Sequence, residues 1–205
     1  MLGCAFENLD NAVNGCLLKD LSGDFEDYDE LQVASIVNNK LKYTSYYYYA
    51  DDGITGYVGW HNEDFDYVGD TTTIPTGSAF WFISSGSAKA ITVSGQVGKQ
   101  EFTHTLKDKK AMICSAFPIM FNPNENCSWS GFEDYDEIQV SRIVNKKLKY
   151  TSYYYYADDG ITGNIGWHNE DFDFIEDPIC GVGQGFWLIL GSASGHGFVE
   201  TSPIK

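Results

Sequence analysis

Residues 25–66 read FEDYDELQVASIVNNKLKYTSYYYYADDGITGYVGWHNEDFD, and residues 132–173 read FEDYDEIQVSRIVNKKLKYTSYYYYADDGITGNIGWHNEDFD. Only Leu31/Ile138, Ala34/Ser141, Ser35/Arg142, Asn39/Lys146, Tyr57/Asn164 and Val58/Ile165 differ. Self-similarity at a fixed offset marks copies of one structural unit, and it takes precedence over every shorter motif. Inside the block, Lys40 to Ala50 is a strand by composition, since the aromatic and β-branched side chains of Lys-Leu-Lys-Tyr-Thr-Ser-Tyr-Tyr-Tyr-Tyr fit a pleated surface. Glu30 to Val37 alternates as a strand too, and Asn38-Asn39 between them is turn chemistry.

Outward from the block the copies diverge. Met1-Leu-Gly-Cys-Ala-Phe6 aligns with Met112-Ile-Cys-Ser-Ala-Phe117, and Gly77-Ser-Ala-Phe-Trp-Phe82 with Gly183-Gln-Gly-Phe-Trp-Leu188. Further strands are expected at Tyr57–Trp60, Ser78–Ser84, Ala90–Val97, Glu101–Leu106 and Met112–Phe117. Sustained 3.6-residue periodicity is absent, so helix is limited to a short turn near Asn8–Leu18. The expectation is an all-β fold of two homologous tandem β-sandwich or small-barrel domains, residues 1–98 and 99–205. Block identity on both strand faces exceeds what a half-buried strand needs. Either local gene conversion or a surface with a job in both copies accounts for it.

The net charge of −16 disfavours nucleic-acid phosphates and anionic membranes as partners. No apolar run is long enough to cross a membrane as a helix. Ile91–Val97 and Glu101–Leu106 precede the second copy, whereas nothing equivalent precedes Met1. This reads as a mature product whose targeting segment has been removed. Cys4/Cys16 and Cys114/Cys127 recur at similar separations, which reads as one disulfide per copy in an oxidising compartment, with buried thiols as the other reading. Cys180 has no counterpart. The word order, with Ala-Phe-(Pro), Asp-Glu-Leu/Ile-Gln-Val, the Tyr-rich strand, Gly-Trp and Gly-x-x-Phe-Trp, resembles tandem β-repeats of secreted bacterial surface proteins of unassigned function. The resemblance implies an extracellular or cell-surface location and a β fold, and it implies no activity.

Three constellations are candidates for function. Tyr46, Tyr47, Tyr48 and Tyr49, with Tyr153, Tyr154, Tyr155 and Tyr156, place two rings on each strand face, so one pair per copy is available to a ligand or partner. Asp51, Asp52, Asp64 and Asp66, with Asp158, Asp159, Asp171 and Asp173, offer oxygen ligands to calcium or cap their own turns. His61 and His168 recur beside Trp60 and Trp167, but no serine stands in a nucleophile-elbow context. No catalytic word is recognised, and the expectation is a non-enzymatic protein. The first reading is a self-associating structural protein, a homo-oligomer, filament or layer subunit joined by strand edges. The second is a bivalent carbohydrate-binding module that uses the Tyr strands and acidic loops on a glycan.

Overall fold

The computed structural model describes residues 1–5, 15–38, 40–51, 53–54, 56–158, 160, 163–192 and 195–204. The first copy contains β1 (Leu2–Gly3), β2 (Gly15–Leu17), a 3-10 turn at Leu18–Asp20, β3 (Leu21–Gly23), β4 (Glu30–Val37), β5 (Lys40–Tyr49), β6 (Gly59–His61), β7 (Thr73–Pro75), β8 (Ala79–Ile83) and β9 (Ile91–Val93). After it come β10 (Phe102–Thr105), β11 (Lys110–Ile113), β12 (Cys127–Ser130), β13 (Glu137–Val144), β14 (Lys147–Tyr156), β15 (Gly166–His168), β16 (Phe186–Ile189) and β17 (Gly197–Glu200). The fold is all-β, as the sequence implies. The turn region expected at Asn8–Leu18 lies mostly outside the described residues.

Each copy builds a five-stranded antiparallel sheet of the same order, β1-β8-β4-β5-β6 and β11-β16-β13-β14-β15. The central hairpins are in identical register: Glu30 faces Tyr47 and Val37 faces Lys40, just as Glu137 faces Tyr154 and Val144 faces Lys147. Asn38 and Asn145 both take φ 53°, the left-handed geometry that a two-residue hairpin requires. A smaller sheet covers one face of each large one. In the first copy it is β3 with β9; in the second it is β10-β17-β12. Gly23 and Gly131 mark the match between the small sheets, because a side chain there would run into the Ala90 or the Gly195 carbonyl.

Apolar side chains collect accordingly. Leu18, Leu21, Leu31, Trp60, Ile74 and Phe80 form the first core. Phe121, Ile138, Val140, Trp167, Phe186 and Phe198 anchor the second. A third cluster, Ala79, Met112, Cys114 and Trp187, packs where the copies meet. The joint repeats itself about an approximate two-fold relation. Ser78 bridges to Ile113 and Leu2 to Gln184, while the Cys114 amide donates to Gly77 O and the Gly3 amide to Gly183 O, both at 2.9 Å.

Equivalent positions therefore meet across the joint, and large residues cannot stand at both. Gly3 lies so close to Cys114 that a Cβ on it would overlap the cysteine side chain, and a Cβ on Gly185 would overlap that of Ala79. Such overpacking costs on the order of 1–3 kcal/mol. Gly3→Cys, which installs the second copy's residue in the first, should lower stability by about that amount. Adding Cys114→Gly should restore much of it. Thermal denaturation of the single and double variants tests the pair.

Candidate functional site

The site begins with a buried carboxylate. Asp29 closes a tight turn by accepting from the Glu26 amide at 2.9 Å, while its own amide donates to Glu26 O. The same carboxylate accepts from the Ser85 amide and hydroxyl at 2.9 and 3.0 Å and from Lys89 Nζ at 2.8 Å. In the second copy Asp136 takes the Glu133 and Gly191 amides at 2.9 and 2.8 Å, and His196 Nε2 stands 3.5 Å away at the lysine's place. Burial pushes the Asp29 carboxyl upward, but the bonds from Lys89, Glu26 and Ser85 outweigh it and hold the carboxyl below its ordinary value. Burial pulls Lys89 down, and its bonds to Asp29 and Glu26 raise it on balance.

This turn forces Tyr28 into the left-handed region, φ 69°, with its amide donating to Tyr48 O. Tyr135 repeats the geometry at φ 71°. A second turn does the same to a phenylalanine. Asn62 Oδ1 accepts from the Asp64 and Asp66 amides at 3.0 and 2.9 Å, and Phe65 between them sits at φ 66°. Asn169, Asp171, Asp173 and Phe172 reproduce it, again at φ 66°. Aromatic residues rarely adopt this conformation, which costs about 1–2 kcal/mol and is ordinarily left to Gly or Asn.

The two strained turns carry their rings to either side of one tyrosine. Tyr28 stands 5.4 Å from Tyr49 and Phe65 5.6 Å, with His61 at 5.3 Å completing the floor. The second copy gives 5.5 Å for Tyr135–Tyr156, 5.5 Å for Phe172 and 5.2 Å for His168. Tyr49 and Tyr156 are buried, but Tyr28 and Phe65 are 66% and 59% exposed, and Tyr135 and Phe172 are 69% and 58% exposed. The result is an open aromatic shelf in each copy, with the exposed Asp27 or Asp134 beside its tyrosine. Burial, then Tyr28, Tyr47 and Asp27, raise the Tyr49 phenol above its ordinary range, so it stays an uncharged hydroxyl. His61 Nδ1 and His168 Nδ1 lie 2.9 and 3.1 Å from the Gly59 and Gly166 carbonyls.

The expected tyrosine set divides. Tyr46 and Tyr48 pack on the first core, Tyr153 belongs to the second core and Tyr155 packs against it. These four are structural, because the strand's inner face must be apolar. Tyr47 and Tyr154 are half-buried on the outer face, and Tyr49 and Tyr156 are the shelf floor. The exposed rings, Tyr28, Phe65, Tyr135 and Phe172, were missed as contact residues because left-handed backbone is not written in composition. The available signal was an aromatic inside an Asp/Asn turn, identical in both copies.

The described members of the expected acidic set are engaged in their own turns. Among the described residues no group of three or more His, Cys, Asp or Glu side chains converges. Asp51 and Asp158 cap the Gly53 and Gly160 amides, and Asp66 and Asp173 accept from the Asn62 and Asn169 side chains. Asp64 and Asp171 donate their amides in the same turns. Asp52 and Asp159 lie outside the described residues.

The disulfide expectation is corrected: none of the five cysteines is in a disulfide. Cys4 and Cys16 do meet, as hydrogen-bonded thiols, and that bond together with burial raises Cys16 far above its ordinary value. The second pair is not equivalent. Cys16 faces Ile74 in the β2–β7 ladder, and the corresponding bridge in the second copy joins Phe121 to Cys180. Cys127 instead lies on β12 against the second core, and Cys114 is in the joint. Burial raises Cys114, Cys127 and Cys180, the last to about 12, so these thiols stay protonated at neutral pH. The cysteines thus lend no support to an oxidising compartment.

One further polar cluster is buried beneath the second copy. Glu200 accepts from Ser115 Oγ at 2.7 Å and lies 2.7 Å from His104 Nε2, with the Ala116 amide at 3.2 Å. The carboxylate stands between Ser115 and His104. Comparison with protein-family models, with curated proteins and with solved structures found no match.

The buried Asp29–Lys89 pair generates a testable ordering. Lys89→Met leaves Asp29 buried without its cation and should lower the melting temperature more than the double variant with Asp29→Asn does. A lowered carboxyl pKa stabilises the fold above the unfolded value of about 3.9, and that contribution fades as pH falls through the folded value. The raised Lys89 value acts oppositely, stabilising below about 10.4 and fading as pH climbs through the folded value. Melting curves from pH 7 down to pH 3 should therefore show less acid sensitivity in Asp29→Asn than in the parent.

Proposed function

We propose that this chain is a non-catalytic binding protein that presents two equal aromatic shelves to a repeating glycan. The carrying observation is the strained exposure of Tyr28 and Phe65 around Tyr49, reproduced by Tyr135, Phe172 and Tyr156. Backbone strain at exposed aromatic positions points to a use for the rings outside the fold. Sugar rings stack their C–H faces on aromatic rings, and the flanking carboxylates accept from sugar hydroxyls. Two like sites on one chain gain avidity for a repeating polymer without any new contact.

A glycan array followed by titration tests this. Phe65→Asn with Phe172→Asn should weaken binding at least tenfold, while either single change leaves one shelf and a smaller loss. Stability should hold or rise by about 1 kcal/mol, because asparagine accepts the left-handed backbone that phenylalanine strains. Retention of no glycan, or unchanged binding by the double variant, defeats the proposal.

Self-association is a second reading, favoured by a separate observation. Lys40, Lys42, Arg142, Lys146, Lys147 and Lys149 lie on the two long hairpins, and residues 31–50 and 138–157 contain no Asp or Glu. These arms also expose Leu41, Ile143, Val144 and Leu148. Cationic, apolar arms on an otherwise acidic molecule complement the acidic turns of a second copy. Such a head-to-tail contact is heterologous and extends into filaments unless it closes. Light scattering should then show assembly that dissolves as salt rises from about 0.1 M to about 1 M and screening shortens from about 10 Å to about 3 Å. A monomer at low salt and high concentration rules it out.

A further inference from the structure

Each shelf sets its rings beside a negative charge that is held in place. Tyr28 stands nearly edge-on to Tyr49, with 74° between the ring planes, and Phe65 is inclined to it at 38°. Tyr135 and Phe172 repeat both angles around Tyr156. Exposed Asp27 lies beside Tyr49, where its Oδ1 accepts from the Ala50 amide at 2.7 Å. Asp134 does the same beside Tyr156, accepting from the Ala157 amide at 2.8 Å. Each bond ties the carboxylate to the end of the long hairpin strand, so the charge has a fixed position relative to the rings. The sequence that builds the shelves supplies no cation: residues 24–30 and 43–66, like 131–137 and 150–173, contain no Lys or Arg. Lys89, which enters this region in the first copy, is engaged by Asp29 at 2.8 Å and Glu26 at 3.1 Å.

We propose that the shelves take the ammonium groups of a cationic amino-sugar polymer, so that the repeating glycan is one whose residues carry protonated amines. This rests on the glycan reading and narrows it to one chemical class. The face of an aromatic ring is the negative end of its quadrupole, and an ammonium group within about 6 Å of a ring centroid is attracted to it. Rings inclined to one another let a compact cation touch more than one of them, whereas a flat neutral sugar face stacks on a single ring. Asp27 or Asp134 then provides the counter-charge at the edge of the same surface. The molecule as a whole acts in the same direction. Its net charge of −16 raises the local concentration of a polycation and repels glycans that carry carboxylates or sulfates. Tyr28, Tyr49, Phe65 and Asp27 are identical in the second copy, so two sites of equal preference engage one polymer.

The probes are two hexamers of one linear backbone, glucosamine and N-acetylglucosamine, titrated into the full chain by calorimetry at mildly acidic pH, where the free amines are charged. The two share their ring stereochemistry and differ in charge. The glucosamine hexamer should bind at least tenfold more tightly, and its affinity alone should fall as salt is raised. Asp27→Asn with Asp134→Asn keeps an oxygen for the Ala50 and Ala157 amides while removing the charge, and it should cut that preference at least threefold. Phe65→Asn with Phe172→Asn leaves the net charge as it is and should weaken glucosamine binding at least fivefold. Unchanged glucosamine binding by the second pair means that overall charge attracts the polycation without the shelves, and it overturns the proposal. Equal binding of the two hexamers, or a preference for the acetylated one, overturns it while the glycan reading stands. Binding of neither hexamer overturns it as well, and retention of another glycan on the array then separates this failure from failure of the glycan reading.

Discussion

The carboxylate of Asp29, with its twin Asp136, is the interaction on which the arrangement of each copy rests. It gathers donors from its own turn and from the connection after β8 or β16, and it faces Lys89 or His196 on the segment leading to β9 or β17. A buried carboxylate with one partner would be a liability; with several hydrogen bonds it becomes a clamp. The clamp fixes where the central hairpin begins, since the amides of Tyr48 and Tyr155 donate to the carbonyls of Asp29 and Asp136 at 2.8 Å. It also fixes the shelf, because the same turn sets Tyr28 and Tyr135 in left-handed backbone. Core geometry and surface geometry thus descend from one buried group. The side chain set against the carboxylate changes from Lys89 to His196 while the carboxylate stays, because the backbone donors carry the geometry.

The joint between the copies answers a question that the bare sequence left open. The central block is nearly identical while the flanks have drifted, and at two positions the difference falls where equivalent residues touch. Gly3 must be small because Cys114 is not, and Gly185 must be small because Ala79 occupies the space. A residue packed near a two-fold relation meets its own counterpart, so identity is sterically penalised there. In the block no such penalty operates on the shelf residues Tyr28, Tyr49, His61, Asn62 and Phe65, and all five are the same in both copies. The differences at Gly3/Cys114 and Ala79/Gly185 are thus a packing consequence.

The strands were legible because alternation, β-prone composition and duplication agreed: Glu30–Val37 appears with the expected bounds and Lys40–Tyr49 stops one residue short of Ala50. The strand expected at Met112–Phe117 ends at Ile113, since the Ala116 and Phe117 amides turn to Glu200 and Ser115 rather than to a ladder. That long-range carboxylate, some eighty residues away in the chain, leaves no local trace. The cysteine alignment misled for a different reason. Cys16 and Cys127 look equivalent by spacing, yet the loops before Phe25 and Phe132 differ in length, and the ladder puts Phe121 in the place of Cys16. The Tyr run was read correctly as two-faced. Its functional half was only partly legible, because exposure of the shelf depends on φ at Tyr28 and Phe65.

Two sheets of the same ancestry end with different complements of strands, and this asymmetry follows from how the chain is strung. The segment 101–106 connects the copies, so it is available to lie on β17 at no cost in tethering. On β17 it buries His104 against Phe198, ring centroids 4.1 Å apart, and brings the imidazole to the Glu200 carboxylate.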